Sequence, residues 1–228
     1  MIVRMGILRK KENLSLDEFR KYWIENHGPL ASKIPGLIKY TQNHVVNSSQ
    51  MGIDYDRGNI IVDGFSQLWF EDEQDMELML TSEIGNLLSN DEEKFIDDLK
   101  IIVAKQNVVK TRSKEKSLIK RMSILKRRSD IDFATFQYEW NKVHAEHVLT
   151  MPGIEGYVQN LVIDSSVKKG KVIENNGLGI DGIVELWFKD PASLENAFAS
   201  PNGQRTMKHA TTFIEEITTF LVEPHQIK

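Results

Sequence analysis

Apolar and polar positions alternate along this chain in short runs of two different periods, and the order of those runs occurs twice. Residues 3–9, VRMGILR, and 119–126, IKRMSILK, are apolar runs of strand length. A helical pattern follows each. Phe19, Trp23 and His27 are four apart, as are Phe136, Trp140 and His144. That spacing drifts only about 40° per step around an α-helix, so each trio shares one face, which Leu16 joins in the first half. Ser15 with Glu18 has the form of a capping box, and Asp132 takes the equivalent cap position in the second half. His27 is therefore predicted to look inward from the C-terminal end of its helix.

Pro35-Gly36 and Pro152-Gly153 stop the helical regions and aim the chain into second strands, 37–46 and 154–163. Strand alternation places Tyr40 with Gln42, and Tyr157 with Gln159, on one face. Third strands end IIVDGFSQLWF (60–70) and IDGIVELWF (180–188), where Asp63 and Asp181 read as turn caps and Trp69 and Trp187 as core aromatics. Helices are expected at 72–80 and 191–199, with second short helices at about 86–97 and 202–215. Fourth strands, 101–109 and 218–223, close each half. The third strand is apolar on both parities, Phe65 and Trp69 against Leu68 and Phe70, so both faces of its sheet must be covered.

The repeat extends to single residues. Places 117 apart carry Arg4-Met5 and Arg121-Met122, His27 and His144, Tyr40 and Tyr157, and Gln42-Asn43 and Gln159-Asn160. After one extra residue in the second half, places 118 apart match DGFSQLWF to DGIVELWF, Ser82 to Ser200, Gly85 to Gly203 and Phe95 to Phe213. The halves divide as 1–112 and 113–228, with a charged joint near TRSKEKS (111–117). The order βαββαβ is ferredoxin-like. The prediction is an α+β fold in which two ferredoxin-like repeats pack sheet to sheet as an intrachain pseudo-dimeric α+β barrel. One chain then does what two identical subunits do elsewhere, and further dimerisation of the fused barrel stays open.

Composition narrows the partners. A formal net charge of -4 argues against nucleic acid, whose phosphates call for clustered Lys and Arg. Arg9-Lys10-Lys11 and Lys126-Arg127-Arg128 occupy matching loop positions and read as solvated edges. The absence of cysteine excludes disulfides, cysteine nucleophiles and thiolate metal ligands. No segment approaches 18 continuous apolar residues, so neither a membrane span nor a signal peptide is predicted, and a cytoplasmic location is the expectation.

The pattern F-x3-W-x3-H, then P-G, then Y-x-Q-N, then D-G-x3-L-W-F resembles the EthD domain of the dimeric α+β barrel superfamily, in both halves. The resemblance implies a small-molecule pocket between helices and sheet in each half. That family includes a methylmuconolactone isomerase, fungal polyketide-tailoring dehydratases and decarboxylases, and proteins encoded beside an ether-degrading cytochrome P450. In isomerase-like members a His ending the first helix and a Tyr on the second strand are pocket residues, roles that fall here on His27 with Tyr40 and on His144 with Tyr157. The pocket cysteine of the isomerase has no counterpart.

The residue chemistry agrees in type. An imidazole takes and gives a proton at neutral pH, and a neighbouring phenol orients it or stabilises an enolate oxygen. Gln42, Asn43, Gln159 and Asn160 offer neutral hydrogen bonds to substrate oxygens, and Trp23 and Trp140 join them as substrate-binding residues. The expectation is a cofactor-free isomerase, lyase or dehydratase acting on a cyclic or aromatic carbonyl compound, with no metal. The bland alternative for each His is a bond to a loop carbonyl ahead of the Pro-Gly turn. A protein that only binds a hydrophobic ligand is the alternative for the whole chain. Two further constellations are weaker. His144, His147 and Glu185 have metal-ligand chemistry in the second half alone. His209, on the second half's later helix, raises haem binding, since haem-degrading monooxygenases that share the superfamily fold hold haem through a helix histidine.

Overall fold

A computed structural model describes residues 1–114, 117–167, 171, 172 and 178–228. The first half runs β1 (Ile2–Lys10), α1 (Leu16–Tyr22), a π-helical turn (Trp23–His27), α2 (Gly28–Ala31), β2 (Lys39–Asn47), β3 (Gly64–Phe70), α3 (Glu73–Thr81), α4 (Glu83–Phe95) and β4 (Ile96–Lys110). The second repeats it as β5 (Ile119–Arg127), α5 (Phe133–Tyr138), a π-helical turn (Glu139–His144), α6 (Ala145–Leu149), β6 (Gly156–Val167), β8 (Gly182–Phe188), α7 (Pro191–Ala199), α8 (Pro201–Ala210) and β9 (Ile214–Gln226). A two-residue strand, β7 (Lys171–Val172), pairs with the end of β6.

Each half forms an antiparallel sheet, β4-β1-β3-β2 and β9-β5-β8-β6, and the halves are stitched at both edges. β2 pairs with β9 and β4 with β6, which closes eight strands into a pseudo-dimeric barrel. Closure removes the open edges that two separate sheets would present. Pairing within each half explains a difference from the sequence reading. β4 and β9 begin at Ile96 and Ile214, where helix was expected to continue, because Ile96 pairs with Lys10 and Ile214 with Arg127. Strand pairing with β1 and β5 outweighs the local helical pattern there.

Two kinds of core result. Inside the barrel, Val3, Met5, Phe65, Trp69, Ile102, Met122, Ile183 and Phe220 pack together. Outside it, helices cover each sheet over Phe19, Trp23 and Phe95 in one half and Phe136, Trp140 and Phe213 in the other. The Ser15–Glu18 capping box and the Asp132 cap form as expected. Leu16 does not share the buried face: as the first residue after its cap it is 40 % exposed, ahead of the turn that reaches the sheet.

The repeated motif residues explain one another. The Trp23 and Trp140 rings lie directly on Gly64 and Gly182, where an added Cβ would come within 2.4 and 2.3 Å of the indoles. The Asp before each glycine accepts a strand-end N–H, from Lys10 to Asp63 and from Arg127 to Asp181, both at 2.8 Å. Gln42 Nε2 donates to the Trp23 carbonyl at 2.8 Å, and Gln159 Nε2 to the Trp140 carbonyl at 2.7 Å. A side chain inserted at a helical carbonyl diverts the i→i−4 ladder, which is where both helices take their π turn.

Candidate active site

In the first half a cavity of about 480 Å³ lies between the helices and the outer face of the sheet, with Arg4, His27, Tyr40, Ser66, Glu92 and Asp164 among its walls. Ala31, Ile34, Leu68, Met76, Met79 and Leu88 supply most of its apolar lining. The π turn delivers His27 to this space at the junction of α1 and α2. Its Nδ1 lies 3.0 Å from Asp91 Oδ2 on α4. A carboxylate only accepts, so Nδ1 carries the proton and Nε2 is the basic nitrogen. Asp91 Oδ1 also receives the Tyr22 hydroxyl at 2.7 Å and Lys94 Nζ at 3.1 Å. The His27 bond, with help from these two, holds the Asp91 carboxyl well below the usual carboxylate range.

Tyr40 stands on β2 with its phenol oxygen accepting twice, from Trp23 Nε1 at 3.0 Å and from Gln42 Nε2 at 3.1 Å. Those bonds leave the phenol's own proton to donate. Burial pushes the Tyr40 hydroxyl above the ordinary phenol range, so it is a neutral donor at physiological pH. Gln42 Oε1 is 3.1 Å from His44 Nε2, and His44 stacks on Trp23 with its ring centroid 4.8 Å away. Burial holds His44 down to about 3, so it stays neutral and donates to Gln42. Trp23 and Gln42 thus stand behind Tyr40 and aim it.

The second half repeats the tyrosine and alters the histidine. Gln159 Nε2 donates to the Tyr157 hydroxyl at 2.7 Å. His144 Nδ1, however, meets His209 Nδ1 at 3.2 Å, and His209 Nε2 meets Glu139 Oε2 at 3.2 Å. Glu139 occupies the repeat position of Tyr22 and His209 that of Asp91, so the carboxylate has moved from the later helix to the first. Burial, reinforced by His209 and His147, pushes His144 down to about 3. The cavity beside it is only about 40 Å³. Val148, Met151, Val184 and Met207 stand where the first half has Ala31, Ile34, Ser66 and Ser89, and Ile53 enters from the loop between β2 and β3.

Of the residues singled out from sequence, His27, Tyr40, Trp23 and Gln42 come together, as do His144, Tyr157, Trp140 and Gln159. Asn43 and Asn160 do not join them. They project from the other strand face into the barrel, where Asn43 Nδ2 reaches Gln67 Oε1 at 2.9 Å and Asn160 Nδ2 reaches Glu185 Oε1 at 2.8 Å. There they surround a buried Lys120–Glu185 ion pair at 2.5 Å. The suggested metal set is not assembled either: Glu185 faces the barrel interior and His144 the opposite side of the sheet. Among the described residues no group of three His, Cys, Asp or Glu is placed to hold a metal. His209 has both ring nitrogens engaged, by His144 and by Glu139. Asp91 and the two arginines were missed. Arg4 and Arg121 were visible as matched residues, and each breaks an apolar strand on the parity opposite Val3, Met5 and Ile7 or Met122 and Ile124.

A closed barrel built from two ferredoxin-like halves, with a histidine and a tyrosine under the helices of each, defines a fused member of the dimeric α+β barrel class. The EthD domain model matches residues 11–99 and 128–217, and the chain belongs to the EthD family, carrying its domain twice. No curated protein matches it in sequence. Among solved structures it is similar to an anthrone oxidase-like protein, with a TM-score of 0.66 at 6 % identity over 99 % of this chain and 93 % of that one. A candidate monooxygenase from Lactobacillus acidophilus NCFM gives 0.59 at 12 % identity over 100 % and 94 %. A second, from Fusobacterium nucleatum subsp. nucleatum ATCC 25586, gives 0.60 at 7 % over 100 % and 92 %. These likenesses establish the fold. Among the described residues no helix is long and apolar enough to cross a membrane.

Proposed function

We propose that the first-half cavity is the active site of a small-molecule enzyme that moves a proton beside a carbonyl group. The reaction class is a cofactor-free isomerisation, elimination or dehydration, and the substrate a cyclic or aromatic carbonyl compound. One observation carries this reading: the Asp91-oriented His27 and the donor hydroxyl of Tyr40 line the same cavity of about 480 Å³. His27 Nε2 removes the proton next to the carbonyl, and Tyr40 donates to the oxygen as enolate charge develops. A positioned base contributes roughly 10²–10⁴-fold to such a step. A preorganised oxyanion donor contributes about 10²–10³-fold. The apolar walls suit a ring system, and an anthrone oxidase-like protein among the structural neighbours accords with an aromatic carbonyl.

The test is solvent-deuterium exchange. Enolisable cyclic ketones and lactones are screened for binding by thermal shift, and loss of the proton beside the carbonyl is followed by NMR in D₂O. Exchange is expected for the compounds that bind. His27→Gln and Tyr40→Phe should each slow it by about 10²-fold or more with binding retained. Tight binding without exchange would instead establish a carrier.

A further inference from the structure

The second-half cavity contains a cation with no carboxylate among the described residues of its walls. Arg121 lies on the helix-facing side of β5, 3 % exposed, with its guanidinium carbon 4.3 Å from the centroid of the Phe198 ring. Its Nε has no hydrogen-bond partner among the described residues. Desolvation pushes Arg121 down to about 9, which still leaves it charged at neutral pH. Its counterpart Arg4 shares its cavity with two carboxylates, Glu92 and Asp164. The second half has neither. Ala210 stands at the repeat position of Glu92. Asp164 pairs with Val103 across the β4–β6 seam, and at the matching place on the β2–β9 seam Leu221 pairs with Asn47. The arginine is present in both halves, and both acids are missing from one.

The other polar groups around Arg121 include hydrogen-bond donors. The Tyr157 oxygen accepts from Gln159 at 2.7 Å and burial keeps it protonated, so its proton is available to the cavity. The Ser123 hydroxyl shares the same wall, whereas the Thr206 hydroxyl donates to the Asn202 carbonyl at 2.8 Å. About 40 Å³ exceeds what one water needs and admits only a few atoms. An uncompensated buried charge is costly, and water does not neutralise it. We propose that this cavity is a closed site for one small monovalent anion of the size of chloride, bromide or nitrate, held by the Arg121 guanidinium with the Tyr157 and Ser123 hydroxyls.

The test is urea unfolding at constant ionic strength, with sodium gluconate, whose anion is too large for the cavity, replaced stepwise by sodium bromide. An anion bound only by the folded state raises the folding constant in proportion to its concentration above Kd, about tenfold from 10 Kd to 100 Kd. The wild type should show this rise and Arg121→Met should lose it. Anomalous scattering from bromide-grown crystals should place a peak between Arg121 and Tyr157. A bromide dependence that survives Arg121→Met, or anomalous maps without a peak in the cavity, would overturn the proposal. If Arg121→Met does not fold, the maps of the wild type decide alone.

Discussion

His144 should make the protein acid-sensitive by a calculable amount. In the fold its pKa is pushed down to about 3 by burial, with His209 and His147 adding to the effect, whereas an unfolded histidine titrates near 6.5. As pH falls, the unfolded chain takes up this proton first. The contribution of a neutral His144 is therefore complete above about pH 6.5 and is lost progressively as pH falls toward about 3. At pH 5 the unfolded state has gained about 1.5 pH units of protonation free energy, roughly 2 kcal/mol, or about 30-fold in the folding constant. The assay is urea unfolding in gluconate buffer at pH 7.5 and 5.0, on the wild type and on His144→Gln. Histidines elsewhere, including His44 in the other half, contribute to both proteins and cancel in the comparison. Wild type should lose about 2 kcal/mol more than the variant over that interval. Equal losses would refute the reasoning, because a histidine that protonates freely in the fold leaves no such difference.

Asp91→Asn should slow deuterium exchange by about 10²-fold or more with ligand affinity unchanged, since an amide no longer fixes the His27 proton on Nδ1 by charge; calorimetry and NMR separate the two quantities. Gly182→Ala would place a Cβ 2.3 Å from the Trp140 ring, and should lower stability by about 1–3 kcal/mol in urea unfolding with an unchanged m-value. Lys120→Met should cost about 3–5 kcal/mol by leaving Glu185 without its cation in the barrel interior. Adding Glu185→Gln, the residue type already at its counterpart Gln67, should recover most of that loss, and thermal unfolding of the single and double variants checks both.

The sequence by itself determined a great deal here, because its information is periodic and doubled. Spacing by four placed Phe19, Trp23 and His27 on one helix face, alternation put Tyr40 with Gln42, and the repeat supplied the architecture. Local geometry suffices for such statements, since the side a residue faces depends on its own element. Partners across elements do not follow from local geometry. That His27 is oriented by Asp91 and His144 by His209 depends on how α4 and α8 lie against the first helix of each half. That Asn43 turns away from its neighbour Gln42 was implicit in the same alternation, but only the closed barrel shows what occupies the far side. Pairing with β1 and β5 carries the starts of β4 and β9 back over residues whose local pattern is helical, because their partners lie far away in sequence. Above all, tertiary structure decided the inequality of the halves. Cavity volume is set by side chains converging from many elements, so a few enlarged residues and Ile53 crossing from the other half reduce about 480 Å³ to about 40 Å³ while every repeated motif stays in place.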